Sequence, residues 1–470
     1  MIKKFNFLTP FICFLLGAIS TFSLEPYSIY PLIFCFSLGF HLIFNSEKRK
    51  QVVANSWSFS FGWFFSGLYW IGAAFFVKST IFYFLMPFAI ILLPAILAFI
   101  WTFGFICVYK LKNFYGNKFF WIIIILSSFE FLRGYILEFP WLMPAYFFAS
   151  NELTLQSFSF LGSYGMNIIF LTIVVVPNIF LQIKTKYIKS IFFLIIPLLS
   201  LFYFSYQRHE NKTTIFLDNY LVSLVQPNIK QKDKWKKILT NSHYDNLLNL
   251  SNSVNNNSND LYNLIIWPET SFLGVFPRDR NKLLNLSNPV IMQNSKNSLI
   301  TGVIHYRNYN YYNSAVLINS KNKVEKVYDK NFLVPFGEYI PFKRYLPRFS
   351  FLSNKVDFSK GEKKQNLFVA NELRFIPLIC YEIIFSKYIF KQISDQTQLI
   401  VNITNDAWFG NTIGPYQHLQ FAKIRAVEFG ISVARVANTG ISAYFDPYGK
   451  MVSEIKLNEK GDTTNILIQR

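Results

Sequence analysis

Cysteine is nearly absent from this chain of 470 residues, which holds four. Cys13, Cys35 and Cys107 sit inside apolar runs of the first half, and Cys380 alone occupies the second, so that half forms no internal disulfide. There is no glycine-rich phosphate loop, which removes the usual cradle for a nucleotide, and no internal repeat, which removes a solenoid. Histidine is scarce as well, at five, and none lies at ligand spacing from a second histidine or a cysteine; no metal site and no cofactor are expected. Acidic residues are few, 26 against 46 basic ones, for a formal charge of +20. The basic residues are dispersed and belong to no groove-reading or RNA-binding motif, so the balance points to a membrane surface and not to nucleic acid.

What the chain has in excess is apolar surface, with 52% hydrophobic residues and a positive mean hydropathy. The excess is concentrated in the first half. Runs near the roughly 20 residues needed to cross a bilayer lie at 5–24, 28–43, 57–77, 81–108, 119–131, 165–183 and 191–206. These predict an α-helical membrane domain of about seven helices over 1–206, a linker at 207–218 and a second domain over 219–470. Pro87 and Pro94 leave two forms open for the fourth run, one kinked helix or a re-entrant pair. A signal peptide is the alternative for the first run, but no small-x-small cleavage site follows it and further spans do.

From about Asn219 the pattern changes to short apolar runs separated by Asn, Gly and Pro. Strands are predicted at 221–225, 264–267, 298–305, 314–318, 373–380, 399–403 and 432–436, with helices at 234–251 and 415–429. Strands alternating with helices argue an α/β sandwich. The Asn/Ser tract at 251–260 reads as a solvated loop.

Three of these segments end on a reactive group. Leu-Ile-Ile-Trp-Pro-Glu ends at Glu269, Tyr-Asp-Lys ends at Lys330, and Leu-Ile-Cys ends at Cys380. Taken singly, a glutamate after proline is a surface turn, a lysine after Tyr-Asp is a solvated charge, and a lone cysteine is a small buried hydrophobe. Taken together they supply what acyl transfer through a thioester needs: a base for the thiol proton, a cation for the oxyanion, and the nucleophile itself. His418 is the tempting rival base, but it lies in a helix-like run and reads as structural.

These segments resemble the nitrilase, or carbon–nitrogen hydrolase, superfamily, which carries a Glu-Lys-Cys triad in that chain order on an αββα sandwich. The match narrows at Gln226-Pro-Asn-Ile229 followed by Trp235, Trp267-Pro-Glu-Thr270, Lys330 through Pro341, Cys380-Tyr-Glu382, Asn405 through Gly410, Gly414-Pro-x-Gln-His418 and Asn438-Thr-Gly-Ile-Ser442. With the preceding multi-span region, the chain is similar to the apolipoprotein N-acyltransferase family, the membrane branch of that superfamily. The resemblance implies Glu269 as general base, Lys330 as oxyanion stabiliser and Cys380 as nucleophile. It implies that Glu338 supports the triad by hydrogen bonding, that Tyr381 and Glu382 line the site, and that Trp235 rides on a mobile loop over the lipid entrance. An interfacial anchor is the competing reading of Trp235.

The same resemblance implies a bacterial inner-membrane enzyme that takes an acyl chain from a phospholipid and delivers it to the α-amine of diacylglyceryl-cysteine in lipoproteins. It implies no cofactor. Family members usually end in a further membrane helix; the closing residues here show no such apolar run, so the carboxyl terminus is expected to stay outside. A membrane-tethered amidase acting on a soluble amide is the second reading. A catalytically dead scaffold is the third, and the joint presence of Glu269, Lys330 and Cys380 argues against it.

Basic residues fix the expected orientation. Lys3 and Lys4, then Lys48, Arg49 and Lys50, then Lys110, Lys112 and Lys118, then Lys184, Lys186 and Lys189 fall on alternate connections, while Lys78 and Arg133 are all that the others offer. By the positive-inside rule the first set is cytoplasmic, which puts everything after 206 outside. Reporters fused after Lys50, Lys118 or Lys189 should therefore behave as cytoplasmic, and fusions after residue 210 or at Arg470 as external. A cytoplasmic Arg470 would contradict this topology.

Overall fold

The computed structural model describes residues 7–77, 84, 86–111, 118–180, 188–255, 261–340, 357–363 and 367–470. Lys3, Lys4, Lys78, Lys112, Lys184, Lys186, Pro341, the end of the Asn/Ser tract and the outermost residues of several apolar runs lie outside them. Two compact units form. One takes residues 1–212 together with 409–420, and the other takes 213–408 and 421–470.

The first unit is helical. Helices Leu8–Ser20, Phe34–Phe44, Arg49–Leu68, Met86–Leu111, Lys118–Phe131, Phe158–Phe180 and Ile188–Glu210 cover the apolar runs. Three stretches, Arg49–Phe76, Met86–Leu111 and Phe158–Asn178, are long and apolar enough to cross a membrane, and Leu8–Ser23 and Tyr30–Phe44 are shorter apolar helices. The fourth run is one helix: Pro87 falls in its first turn, where no N–H partner is lost, and Pro94 is accommodated within it. Its neighbours meet through aromatic edges, with the Phe36 ring 4.8 Å from Trp63, 5.2 Å from Phe59 and 5.0 Å from Phe170. Gly62 lets helix Arg49–Leu68 touch helix Leu8–Ser20 backbone to backbone, because a Cβ there would collide with the Phe14 carbonyl.

Arg133 differs from its expected place in a connection. It is fully buried, paired with Glu130 through Nη2–Oε2 at 2.6 Å and Nε–Oε1 at 2.9 Å, and its Nη1 donates to the carbonyls of Phe139 and Trp141. A charge inside an apolar bundle has to be matched in this way. It is therefore no topological anchor.

The segment 409–420 is part of this unit through Gln417. Its Oε1 accepts from Trp70 Nε1 at 3.0 Å and Trp141 Nε1 at 2.8 Å, and its Nε2 donates to the Gly67 carbonyl. His418, next in sequence, is buried between the rings of Trp141 and Phe409, each 5.6 Å away.

The second unit holds two sheets among the described residues. The first contains β1 (Ile215–Gln226), β2 (Tyr262–Ile266), β3 (Val275–Phe276), β4 (Asn297–Arg307), β5 (Asn310–Ile318), β6 (Val324–Asp329) and the last strand, β13 (Gly461–Gln469); its order is β13-β1-β2-β4-β5-β6, with β3 beside β4. The second contains β7 (Phe368–Ala370), β8 (Leu373–Ile379), β9 (Leu399–Thr404), β10 (Ser432–Ala437), β11 (Ser442–Phe445) and β12 (Met451–Ile455), in the order β12-β11-β10-β9-β8-β7. Parallel central pairs β1/β2, β2/β4, β8/β9 and β9/β10 are flanked by antiparallel edges.

Alternation along each strand builds the layers. Val222, Leu224, Leu264 and Ile266 join one core with Ile379, Val401, Ile403 and Val436 of the other sheet, while Val225, Ile265 and Trp267 face a second core with helices Thr240–Asn255 and Arg280–Ile291. This is the nitrilase-type α/β sandwich.

The helix expected from 234 begins at Thr240 instead. Lys234 is drawn inward by side-chain hydrogen bonds, and Lys236 turns extended before Thr240 opens the helix. In the helical unit, Gln417→Met should remove three hydrogen bonds, those with the Trp70 indole, the Trp141 indole and the Gly67 carbonyl. At about 0.5–1.5 kcal/mol per hydrogen bond lost, the apparent midpoint of thermal unfolding in detergent should fall by at least about 2 °C; an unchanged midpoint would remove Gln417 as a fastening of its segment.

Candidate active site

Glu269, Lys330 and Cys380 lie just past strand ends: Glu269 beyond β2, Lys330 directly after β6 and Cys380 directly after β8. Glu269 stands on a tight turn, with Thr270 at φ 48°. The turn rests on β4 at Gly302, where a Cβ would strike the backbone of Glu269 and Thr270, so no other residue at 302 lets Glu269 sit there.

Cys380 is itself left-handed, at φ 52°. A non-glycine residue in that region is strained, and its neighbours must impose it. Behind it, Asn402 Nδ2 donates to the carbonyls of Leu378 and Cys380, each at 3.3 Å. Asn402 is held in turn by Arg435 Nη1 at 2.9 Å, and Arg435 Nη2 pairs with Asp406 at 2.5 Å. All three are buried. The turn is why the strand expected to reach residue 380 stops at Ile379.

Glu338 and Asn313 complete the acid–base cluster. Lys330 Nζ donates to Glu338 Oε2 at 2.9 Å and stands 4.0 Å from Glu269 Oε1. Asn313 Nδ2 donates to Glu269 Oε1 at 2.6 Å and to Glu338 Oε1 at 2.7 Å. One amide thus uses both its protons to align two carboxylates, which the sequence reading did not anticipate. Asn313 sits one residue before the apolar stretch that marked its strand, and a single polar residue there carries no signal without its partners.

Glu382 acts from beneath. Fully buried, its carboxylate accepts from the N–H groups of Ile379, Asn331 and Phe332 and from the Tyr328 hydroxyl, at 2.8, 2.6, 3.2 and 2.7 Å. It therefore ties the turn after β8 to the segment after β6, fastening Cys380 to Lys330. Tyr381 is half-buried and edge-on to Phe385, and Trp235 is 51% exposed at the end of the short helix Gln231–Lys234.

Burial dominates the electrostatics. It pushes the Cys380 thiol up to about 12, with Glu269 adding to the rise and Lys330 and a hydrogen bond with Thr404 opposing it. Burial likewise raises the Glu269 carboxyl, against Lys330, Asn313 and Lys234. For Lys330 burial acts downward, yet Glu338 and Glu269 outweigh it and hold the ammonium above its ordinary range. At neutral pH the thiol keeps its proton and the ammonium is permanent. Attack by sulfur thus requires a base acting during the reaction.

Mapped alkylation of Cys380 by iodoacetamide tests this directly. In the unaltered protein the rate should fall on acidification with a midpoint above the ordinary glutamate range, since the folded Glu269 pKa is raised and its basic form is lost as pH drops through it. Glu269→Gln should slow labelling at pH 7 by a factor on the order of 100 to 10,000 and leave a rate that climbs about tenfold per pH unit toward pH 12, as expected for attack by thiolate alone. A plateau surviving in the folded variant would dismiss Glu269 as the base.

A carbon–nitrogen hydrolase family model matches residues 221–469, and the model of the apolipoprotein N-acyltransferase N-terminal domain matches residues 16–176. The apolipoprotein N-acyltransferase of Rickettsia prowazekii (strain Madrid E) is 34% identical over 468 residues, covering 96% of this chain and 90% of the relative. That of Rhodopseudomonas palustris (strain ATCC BAA-98 / CGA009) is 32% identical over 476 residues, covering 96% and 88%. Among solved structures, a CN-hydrolase superfamily protein from Xanthomonas campestris, with an arsenic adduct in its active site, aligns over 53% of this chain and 89% of its own at 17% identity and a TM-score of 0.39. With a model matched in each half and relatives above 30% identity along nearly its whole length, the chain belongs to the apolipoprotein N-acyltransferase family and is a membrane protein.

Proposed function

We propose that this chain N-acylates lipoproteins by a two-step exchange through a Cys380 thioester, with a membrane phospholipid as donor. The observation that carries the reading is the buried cluster of Glu269, Lys330 and Glu338, of which Glu269 and Lys330 act electrostatically on the protonated Cys380 thiol. Glu269 takes the Cys380 proton as sulfur bonds to the ester carbonyl carbon, and the negative charge that develops on the carbonyl oxygen is met by Lys330. Collapse breaks the acyl C–O bond, the proton on Glu269 passes to the departing alkoxide, and a lysophospholipid leaves.

The second half reverses the roles. The neutral α-amine of a diacylglyceryl-cysteine attacks the thioester, Glu269 accepts the amine proton, the C–N bond forms and the C–S bond breaks. That proton returns to sulfur, so thiol and carboxylate are regenerated. Holding both lipids in one membrane converts a bimolecular encounter into a confined one, and that is the advantage of joining this sandwich to apolar helices. Trp235, exposed directly after the short helix that ends on the buried Lys234, suits contact with acyl chains. The basic connections favour an inner-membrane protein with the catalytic unit on the periplasmic side.

Intact mass measured on the detergent-purified protein after incubation with phospholipid is the test. An adduct of one fatty acyl group, released by hydroxylamine, is expected, and it should vanish in Cys380→Ala and persist when Cys13, Cys35 or Cys107 is replaced. Lys330→Met should form it slower by a factor on the order of 100 to 1,000. Acylation of Cys380 by a small soluble amide but never by phospholipid would turn the reading to a membrane-tethered amidase.

A further inference from the structure

Lys234 is the second lysine at this site, and the mechanism above does not use it. It is 2% exposed, an unusual place for a lysine, and it lies directly before the exposed Trp235. Its ammonium donates to the Glu269 carbonyl at 3.0 Å and to Thr270 Oγ1 at 2.7 Å, the two residues of the left-handed turn that aims the base. The short helix Gln231–Lys234 is fastened on its other side as well, because Gln231 Oε1 accepts from Asn405 Nδ2 at 2.8 Å. Asn405 follows β9 of the second sheet. The segment carrying Trp235 is thereby pinned at one end to the second sheet and at the other to the base.

Charge gives the contact a further meaning. Glu269 and Glu338 bring two negative charges into the buried cluster, and Lys330 returns one positive charge. Lys234 supplies the other. We propose that Lys234 is a positioning residue for the general base: it fixes the Glu269–Thr270 turn and balances the buried negative charge that Lys330 alone leaves uncompensated.

The proposal rests on Glu269 being the base for Cys380. Two electrostatic consequences accompany the geometry. Burial depresses the Lys234 ammonium to about 8 while Glu269 opposes the fall, and Lys234 in turn pulls the Glu269 carboxyl down. At neutral pH the ammonium is still mostly charged. A plain structural tie would hold the turn equally well with no effect on the titration of its neighbour.

The experiment follows mapped iodoacetamide labelling of Cys380 against pH, in the full-length, detergent-purified protein, for Lys234→Met, Lys234→Gln, Lys234→Arg and Thr270→Val. Iodoacetamide replaces the acyl donor, so the outcome is independent of whether phospholipid is that donor. Lys234→Met should lower the plateau about tenfold or more and move the acid limb upward by about one pH unit, the usual effect of removing one nearby opposite charge. Lys234→Gln keeps donors without the charge, so it should recover the plateau in part and still show the displaced limb. Lys234→Arg should bring the limb back toward its original position, and Thr270→Val, which removes one acceptor only, should leave the limb in place. An unmoved limb in folded Lys234→Met, whatever its plateau, would overturn the proposal; should that variant not fold, an unmoved limb in Lys234→Gln would do so.

Discussion

An ammonium that is 1% exposed has to be matched by negative charge, and the layout of this site follows from that requirement at Lys330. Glu338 supplies the close partner at 2.9 Å and Glu269 the looser one at 4.0 Å. The difference matters chemically. A tight pair would consume the basicity of Glu269, whereas Glu338 takes the tight position and leaves Glu269 the freer of the two carboxylates for the proposed role of base. Asn313 keeps the two carboxylates apart in role while holding them side by side, because its amide donates to both.

Strain at Cys380 is the second constraint, and it is met from the opposite side. Cys380 at φ 52° needs its carbonyl held, and Asn402 does so from β9 with Arg435 and Asp406 behind it. Glu382, reaching three backbone N–H groups and a phenol, fixes the same turn relative to Lys330. Both supports are polar groups in a buried place, where each unmade hydrogen bond costs about 1–3 kcal/mol. The turn that carries the sulfur is therefore specified by side chains from strands far apart in sequence.

That distance explains what could be read beforehand. The central strands β1, β2, β4, β5, β8, β9 and β10 were legible because they are continuous apolar runs, buried on both faces over most of their length. The edge strands β6, β12 and β13 were not, since Val-Glu-Lys-Val-Tyr-Asp or Met-Val-Ser-Glu-Ile gives only a weak alternation that any solvated turn shares. The Glu-Lys-Cys trio was legible because each member ends a recognisable segment and the order resembles a known family. Asn313, Asn402, Arg435 and Lys234 were not, because a polar residue in a buried strand or a basic run declares itself only when its partner is in view. Gln417 and His418 stood out as a motif, but that Gln417 serves two indoles 276 and 347 positions away is a fact of packing alone.

The electrostatic balance of the site also bears on how a thiol is kept usable. With its pKa near 12, Cys380 is almost entirely protonated at neutral pH, and a protonated thiol is a poor target for oxidants and stray electrophiles. Burial also raises the Glu269 carboxyl, so the proposed base holds a proton more readily than an exposed glutamate does. The proposed attack on an acyl carbonyl would change this balance. In the proposed reaction negative charge would pass from sulfur to an oxygen facing the Lys330 ammonium, which the neighbouring carboxylates hold charged, so that proton transfer and attack would favour each other. Burial, which raises the cost of a free thiolate, thus favours attack in which a base takes the proton as the bond forms, and in the proposed reaction the same dry surroundings would strengthen Lys330 as charge develops beside it.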